Sequence, residues 1–217
     1  MEHAPPTPTS RTLSAWAELV VVYVLLECAL WSTRTGVRDR WAAVAALSVL
    51  TFVFLDRPSL RRLGLGLPIP AIGAVILLIL SLAASVFFIW WVHSFGGEVG
   101  TSGVLLDLSH SGGYIVWALV QEFLLQSFFF TRCEGLFGSS GAVWAAATLF
   151  AAAHLPNLFL TTFAWAGGLF FCEMFRRYRS IYLVAIIHAA LGLTLAVTMP
   201  DSLFHHMRAG IGYLQYR

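Results

Sequence analysis

The sequence predicts an all-α fold, a polytopic helical transmembrane bundle of about seven to eight spans, and three observations predict it. Charged residues make up only 11% of the 217-residue chain, while hydrophobic residues make up 59%. A soluble domain carries roughly 25% charged residues, so this chain has too little charge to cover a water-facing surface. The apolar residues also gather into long runs. About 20 apolar residues, rising about 1.5 Å each in a helix, cross a hydrocarbon core about 30 Å thick. The runs are rich in Leu, Ala and Phe and lack sustained alternation, which points to helices and away from a barrel.

Met1 to Arg11 is polar and proline-rich (Pro5, Pro6, Pro8), and residues 1–12 read as a disordered lead-in. The run Leu13–Trp31 is too long for a signal-peptide core and is interrupted by Glu18 and Glu27, so it reads as a retained first span. Hydropathy places the spans near 13–32, 41–55, 71–93, 114–131, 141–155, 158–175 and 180–199. The second and fifth are short. Between the second and third spans, Asp56-Arg57-Pro58 and Arg61-Arg62-Leu63-Gly64-Leu65-Gly66-Leu67-Pro68 hold the Pro and Gly that stop helices. The stretch Ser94–Gly113 reads as the longest internal loop, a gate or a connector. Residues 13–217 are expected to form one membrane domain.

The net charge is +2 and every basic residue is Arg. The arginines sit in short clusters between apolar runs, where topology determinants sit, so no nucleic-acid partner is expected. The larger set (Arg11, Arg57, Arg61, Arg62, Arg132, Arg176, Arg177 and Arg179) favours one side as cytoplasmic, against a smaller cluster around Arg34–Arg40. Cys28, Cys133 and Cys172 are scattered and read as free thiols without zinc spacing.

An ionised side chain at mid-bilayer costs about 2.5–3.5 kcal/mol on insertion scales, so such residues mark where chemistry is to be sought. Glu122 sits in the middle of the fourth span, with Gln126 four residues on and sharing its helix face. The fifth span ends Phe150-Ala-Ala-Ala-His154-Leu-Pro156-Asn157, and the seventh carries His188. One acid and two histidines from three helices suit the activation of water. A carboxylate enclosed by apolar side chains loses hydration and becomes a stronger base, and an imidazole holds water, shuttles a proton or donates to an oxyanion. The same three residues have the ligand types of a His/His/Glu zinc site, and without an HExxH motif the spacing does not separate the two. Other ionisable residues have plainer readings. Glu173 precedes Arg176 and Arg177 at ion-pair spacing, and His93, His110, His205 and His206 lie at span edges or in loops, where they are expected to be solvated.

The stretch from Gln121 to Gly192 resembles the CAAX protease and bacteriocin-processing family of intramembrane glutamic endopeptidases. The family pattern is EExxxR on one span, FxxxH on the next and HxxxN (or Asp) on a last. Here these read Gln121-Glu122-Phe-Leu-Leu-Gln126, Phe150-Ala-Ala-Ala-His154 and His188-Ala-Ala-Leu-Gly192. Leu155-Pro156-Asn157, the run from Gly167-Gly168 to Ile181, and Arg62-Leu63-Gly64-Leu65 are similar to elements around the family's core. The resemblance covers about residues 62–199.

The resemblance implies an intramembrane endopeptidase of a bacterial plasma (inner) membrane, with a peptide or membrane-anchored protein as substrate, lipid around it and no cofactor or metal. Glu122, His154 and His188 are read as the catalytic residues, with Glu122 expected as the base, His154 orienting the water and His188 stabilising the oxyanion. Gln121, Gln126 and Asn157 would hydrogen-bond water or substrate. The family's first glutamate, usually assigned to activate the water, falls on Gln121, its arginine on Gln126 and its final Asn on Gly192. A neutral amide is no general base. The replacement of acid and arginine together removes a charge pair and leaves no charge unpaired. That suits either a site in which Glu122 takes over the base role or a non-catalytic membrane protein binding or chaperoning a partner on the same fold. The zinc hydrolase is a further alternative.

Overall fold

The computed structural model describes residues 8–66, 72–95 and 108–215. Its elements are α1 (Pro8–Leu30), α2 (Thr35–Asp56), α3 (Ile72–Ser94), α4 (Leu108–Glu122), a π-helical stretch (Phe123–Phe130), α5 (Thr131–Ala152), α6 (Leu158–Tyr178) and α7 (Ile181–Thr198). Short turns of helix at Asp201–Phe204, His205–Met207 and Ile211–Leu214 follow. No strand occurs among the described residues.

Five helical segments are long and apolar enough to cross a membrane: Thr12–Leu30, Ile72–Ser94, Gly112–Ala152, Leu158–Tyr178 and Ile181–Thr198. The third runs for 41 residues, about twice what a bilayer needs at about 1.5 Å per residue. It is broken at Gly138, where φ is 73° and ψ is 170°, so it contains both the fourth and the fifth spans expected from sequence. The expected span at 41–55 is the apolar part of α2. That helix carries Arg38, Asp39 and Arg40 near its start and does not stand among the five.

Two boundaries differ from the sequence reading. Helix α1 begins at Pro8, inside the segment expected as a lead-in, because proline's fixed φ and missing N–H suit a helix's first turn. Helix α4 begins at Leu108, so Gly112 and Gly113 are helical and not loop. The middle of the expected 94–113 loop, residues 96–107, lies outside the described residues, as does most of the lead-in.

Burial ranks the helices. In the apolar window of α7, 61% of residues are buried, against 11% in that of α3. Helix α7 is the axis of the bundle, packed against α3 and α4. Helix α3 turns Ile79, Leu80, Val86, Phe87 and Trp90 outward, which suits a lipid-facing surface. Helices α1 and α2 pair, as do α5 and α6. The core between them is filled by Leu125, Phe128, Phe130, Phe175, Val184 and Ile187, with Phe130 and Phe175 edge to face at 5.5 Å.

Polar ties fix this packing. Arg132, 6% exposed, bonds Glu18 of α1 at 2.9 Å and Asp56 at the end of α2 at 2.7 Å, and lies 4.3 Å from the centre of the Phe128 ring. Glu18 thus has a structural partner. Glu27 accepts from the Trp31 indole at 2.9 Å. Glu173 pairs with Arg176 at 2.7 Å and with Arg177 at 2.5 Å, as its spacing predicts. Arg179 pairs with Glu134 and lies over Phe130 and Phe175.

The Arg62–Leu65 element is stitched under α7. Leu63 O accepts from Ser127 Oγ at 2.6 Å, and Gly64 O accepts from Ile181 N at 3.1 Å. Gly64 has φ of +74° and a Cβ there would collide with the Phe175 ring, so only glycine fits this turn.

Candidate active site

Glu122 is the last residue of α4 and Gln126 lies in the π-helical stretch that begins immediately after it. Such π turns interrupt the regular ladder and recur at functional sites. Gln126 Nε2 donates to Glu122 Oε2 at 3.0 Å, so the shared face read from the i,i+4 spacing survives the local change of helix. His188, on α7, bonds Glu122 Oε1 through Nδ1 at 2.7 Å. Glu122 and Gln126 both have 0% exposure. With Glu122 ionised the carboxylate only accepts, so the hydrogen on this bond then sits on His188 Nδ1 and the Nε2 of a neutral ring carries the lone pair.

His154 sits in the turn after α5. Its Nδ1 lies 2.7 Å from Phe150 O. A carbonyl only accepts, so Nδ1 again carries the hydrogen and Nε2 the lone pair. Phe150 packs edge to face against both imidazoles, its ring centre 4.8 Å from that of His154 and 6.0 Å from that of His188. Phe171 of α6 stacks on His188 at 4.8 Å with the planes 19° apart. The spacing Phe150-xxx-His154 therefore does two things: it holds the His154 tautomer through a backbone carbonyl and brings one aromatic ring against both histidines.

A cavity of about 530 Å³ opens onto this group, lined by His154, His188, Gln121, Tyr114, Phe150 and Phe171 together with apolar residues of α3, α6 and α7. Glu122 and Gln126 do not line it; they stand behind His188. Adjacent residues on a helix differ by about 100°, and here that difference sends Gln121 to the cavity and Glu122 into the protein. A second cavity, of about 780 Å³, lies beside α1 and α2, with Arg38, Asp39 and Arg208 among its lining residues. The two cavities share Trp117, Gln121, Phe150, His154 and Met207, so Gln121 and His154 stand where an apolar chamber meets a more polar one.

Asn157, expected at water or substrate, is placed otherwise. Its Oδ1 caps α6 by accepting from Leu160 N at 3.1 Å, and its Nδ2 donates to Phe204 O at 2.9 Å and Arg208 O at 3.2 Å. Fully buried and with both ends of its amide engaged, it anchors the C-terminal turns under α6. Of the peripheral histidines, His93 and His206 are exposed. His205, expected in solvent, packs its ring 4.4 Å from that of Tyr213, and the His110 side chain is outside the described residues.

Among the described residues, no group of three or more His, Cys, Asp or Glu is placed to hold a metal ion. His188 Nδ1 is occupied by Glu122 and His154 Nδ1 by the Phe150 carbonyl, so neither of these two nitrogens is open to a metal. Cys28, Cys133 and Cys172 are free thiols, with Cys133 and Cys172 buried. Sequence reasoning missed Tyr114 at the cavity; its spacing of seven residues before Gln121, two helical turns along the same face, is the signal that points to it.

No curated protein and no solved structure matches the chain. A family model does match, and the segment it covers, residues 108–194, contains Gln121, Glu122, Gln126, His154 and His188: over that segment the chain is similar to the Rce1-like type II CAAX prenyl endopeptidases.

Proposed function

We propose that this protein is an intramembrane endopeptidase that hydrolyses a peptide bond in a membrane-anchored or secreted-protein segment, with a Glu122–His188 pair and His154 activating water. The observation that carries the reading is the 2.7 Å bond from His188 to the buried Glu122, behind a cavity that both histidines line. Each histidine offers an Nε2 lone pair towards that cavity. A water molecule has two hydrogens, so one water donating to both rings is held with its own lone pair free to attack a carbonyl carbon. His188 takes a proton as the C–O bond forms, and the Glu122 carboxylate faces the positive charge that develops on the ring. The same proton then passes to the departing amine as the C–N bond breaks. Glu122 thus contributes basicity through His188, and not by touching water itself. Gln126 holds the second oxygen of Glu122, and Gln121, whose amide makes no hydrogen bond among the described residues, is free to donate to the substrate carbonyl.

The two joined cavities suit a substrate with an apolar anchor and a polar peptide: the anchor in the chamber among α3, α6 and α7, and the peptide towards Arg38, Asp39 and Arg208. The family description and the resemblance to bacteriocin-processing proteins support a lipid-anchored peptide as substrate and a bacterial inner membrane as its setting.

A second reading has one observation in its favour. Among the described residues no acidic side chain lines the inner cavity, and Gln121 occupies the α4 position that faces it. A binding or chaperoning role for a membrane-embedded peptide would need no base there. Cleavage of a panel of membrane-anchored peptides in nanodiscs, including one anchored by a farnesylated cysteine, separates the two. The protease reading expects cleavage that disappears with His188→Ala at unchanged fold; a binder retains the peptides uncut and tolerates that variant.

A further inference from the structure

We infer that Tyr114 is a hydrogen-bond donor to the reacting carbonyl and stands in the space that a side chain at position 192 would otherwise fill. This rests on the protease reading above.

Four observations support it. Gly192 follows His188 by one turn of α7 and lines the same cavity. A Cβ built on Gly192 would overlap the Tyr114 hydroxyl and lie 2.8 Å from ring carbon Cζ and 3.0 Å from Cε1. The hydroxyl is therefore inserted against the backbone of α7, reaching from α4 into room left by the missing side chain. Tyr114 lines the cavity, and its hydroxyl makes no hydrogen bond among the described residues. Tyr114 is half-buried, and a tyrosine hydroxyl without a protein partner that faces a largely apolar cavity offers a donor to a ligand oxygen.

The placement also fits the chemistry. Glu122 occupies His188 Nδ1, and in the proposed mechanism Nε2 receives the proton, so the negative charge that develops on the carbonyl oxygen needs donors from elsewhere. One turn of α7 is about 6 Å of rise. Two groups that both contact one small tetrahedral centre, each at about 2.8 Å from their partner atoms, stand at about that separation. Tyr114 and Gln121 lie seven residues apart on one face of α4, so the same helix presents a hydroxyl and an amide to the cavity. A phenol is a stronger donor than an amide and adds no charge to the membrane interior while it is protonated.

The test compares wild type, Tyr114→Phe, Gly192→Ala, the double variant and His188→Ala in nanodiscs, on a membrane-anchored peptide that wild type cleaves. A peptide aldehyde of the same sequence, whose hydrate mimics the tetrahedral species, serves as a binding probe. Tyr114→Phe keeps the ring and its packing. Loss of one oxyanion donor lowers kcat by about 10²–10³-fold, so a fall of that size is expected, with KM nearly unchanged, the thermal midpoint of wild type and weaker aldehyde binding. Gly192→Ala displaces the hydroxyl, so it is expected to lower kcat by a similar factor, and the double variant is expected to be no slower than the slower single variant. Wild-type kcat in Tyr114→Phe, with His188→Ala inactive, would overturn the role of Tyr114 and leave the protease reading standing. Wild-type rates in His188→Ala, or no peptide of the panel cleaved by wild type, would overturn both.

Discussion

Glu122 Oε1 and His188 Nδ1 lie 2.7 Å apart although the residues are separated by 66 positions in the chain. The bond joins the end of α4 to the middle of α7 and is closed to solvent on the Glu122 side. Because Gln126 is neutral, the carboxylate has no arginine beside it; it is held by an amide on one oxygen and an imidazole on the other. A buried carboxylate in this arrangement fixes a ring tautomer and sets the direction in which Nε2 points.

Glu122→Gln is the sharpest test of that arrangement. The amide is close in shape but offers His188 the wrong pattern of donor and acceptor. Loss of the corresponding carboxylate from a histidine-centred hydrolase costs about 10⁴-fold in kcat, and a fall of about 10³–10⁴-fold in single-turnover rate is expected here, with little change in peptide affinity.

Replacing Gln126 by Leu leaves Glu122 Oε2 without its donor at 3.0 Å. An orphaned buried acceptor costs about 1–3 kcal/mol, more when charged. The thermal midpoint in detergent is therefore expected to fall, and the cleavage rate with it. Gln126→Leu with wild-type stability and rate would show that the Glu122 carboxylate does not depend on that amide.

Asn157→Ala tests a different assignment. Its amide caps α6 and holds the Phe204 and Arg208 carbonyls. A lost N-cap costs about 0.5–2 kcal/mol. Reduced stability with an unchanged rate per folded molecule is the expected result, and a loss of rate at full stability would return Asn157 to the site.

The arginine clamp predicts a contrast between two neighbours. Arg132 and Glu18 have side chains 6% and 14% exposed, whereas Asp56 is 51% exposed. Arg132→Met strands a carboxylate in a mostly buried setting and is expected to cost about 3–5 kcal/mol. Asp56→Asn removes a half-exposed partner and is expected to cost about 0–1 kcal/mol. Equilibrium unfolding of both variants in mixed micelles checks the ordering.

A protein that uses no metal keeps its cleavage rate after chelation. Dialysis against a chelator is expected to leave activity unchanged, and stoichiometric zinc whose removal abolishes cleavage would replace the glutamate–histidine account with a metal-assisted one.

Much of this was legible before the structure. The membrane class follows from charge content and run length alone, and the break at Gly138 falls between the fourth and fifth apolar runs. The pairing of Glu122 with Gln126 follows from i,i+4 spacing. Two things were not legible. Periodicity says that Gln121 and Glu122 point in different directions but not which one meets the cavity; that depends on where α7 packs against α4. Nor does any local pattern tie Tyr114 to Gly192, since the two are 78 positions apart on separate helices and meet only because a glycine leaves room. Asn157 shows the converse: a polar residue beside a site motif whose hydrogen bonds are all claimed by the chain itself.

The most direct measurement is single-turnover cleavage of membrane-anchored peptides in nanodiscs by wild type, Glu122→Gln and His188→Ala at equal folded concentration. The account predicts cleavage by wild type and a loss of at least about 100-fold per folded molecule in both variants, with His188→Ala, which orphans Glu122 Oε1, also melting below wild type. Cleavage by Glu122→Gln at the wild-type rate would contradict it, because a proton taken by His188 would then need no carboxylate behind the ring.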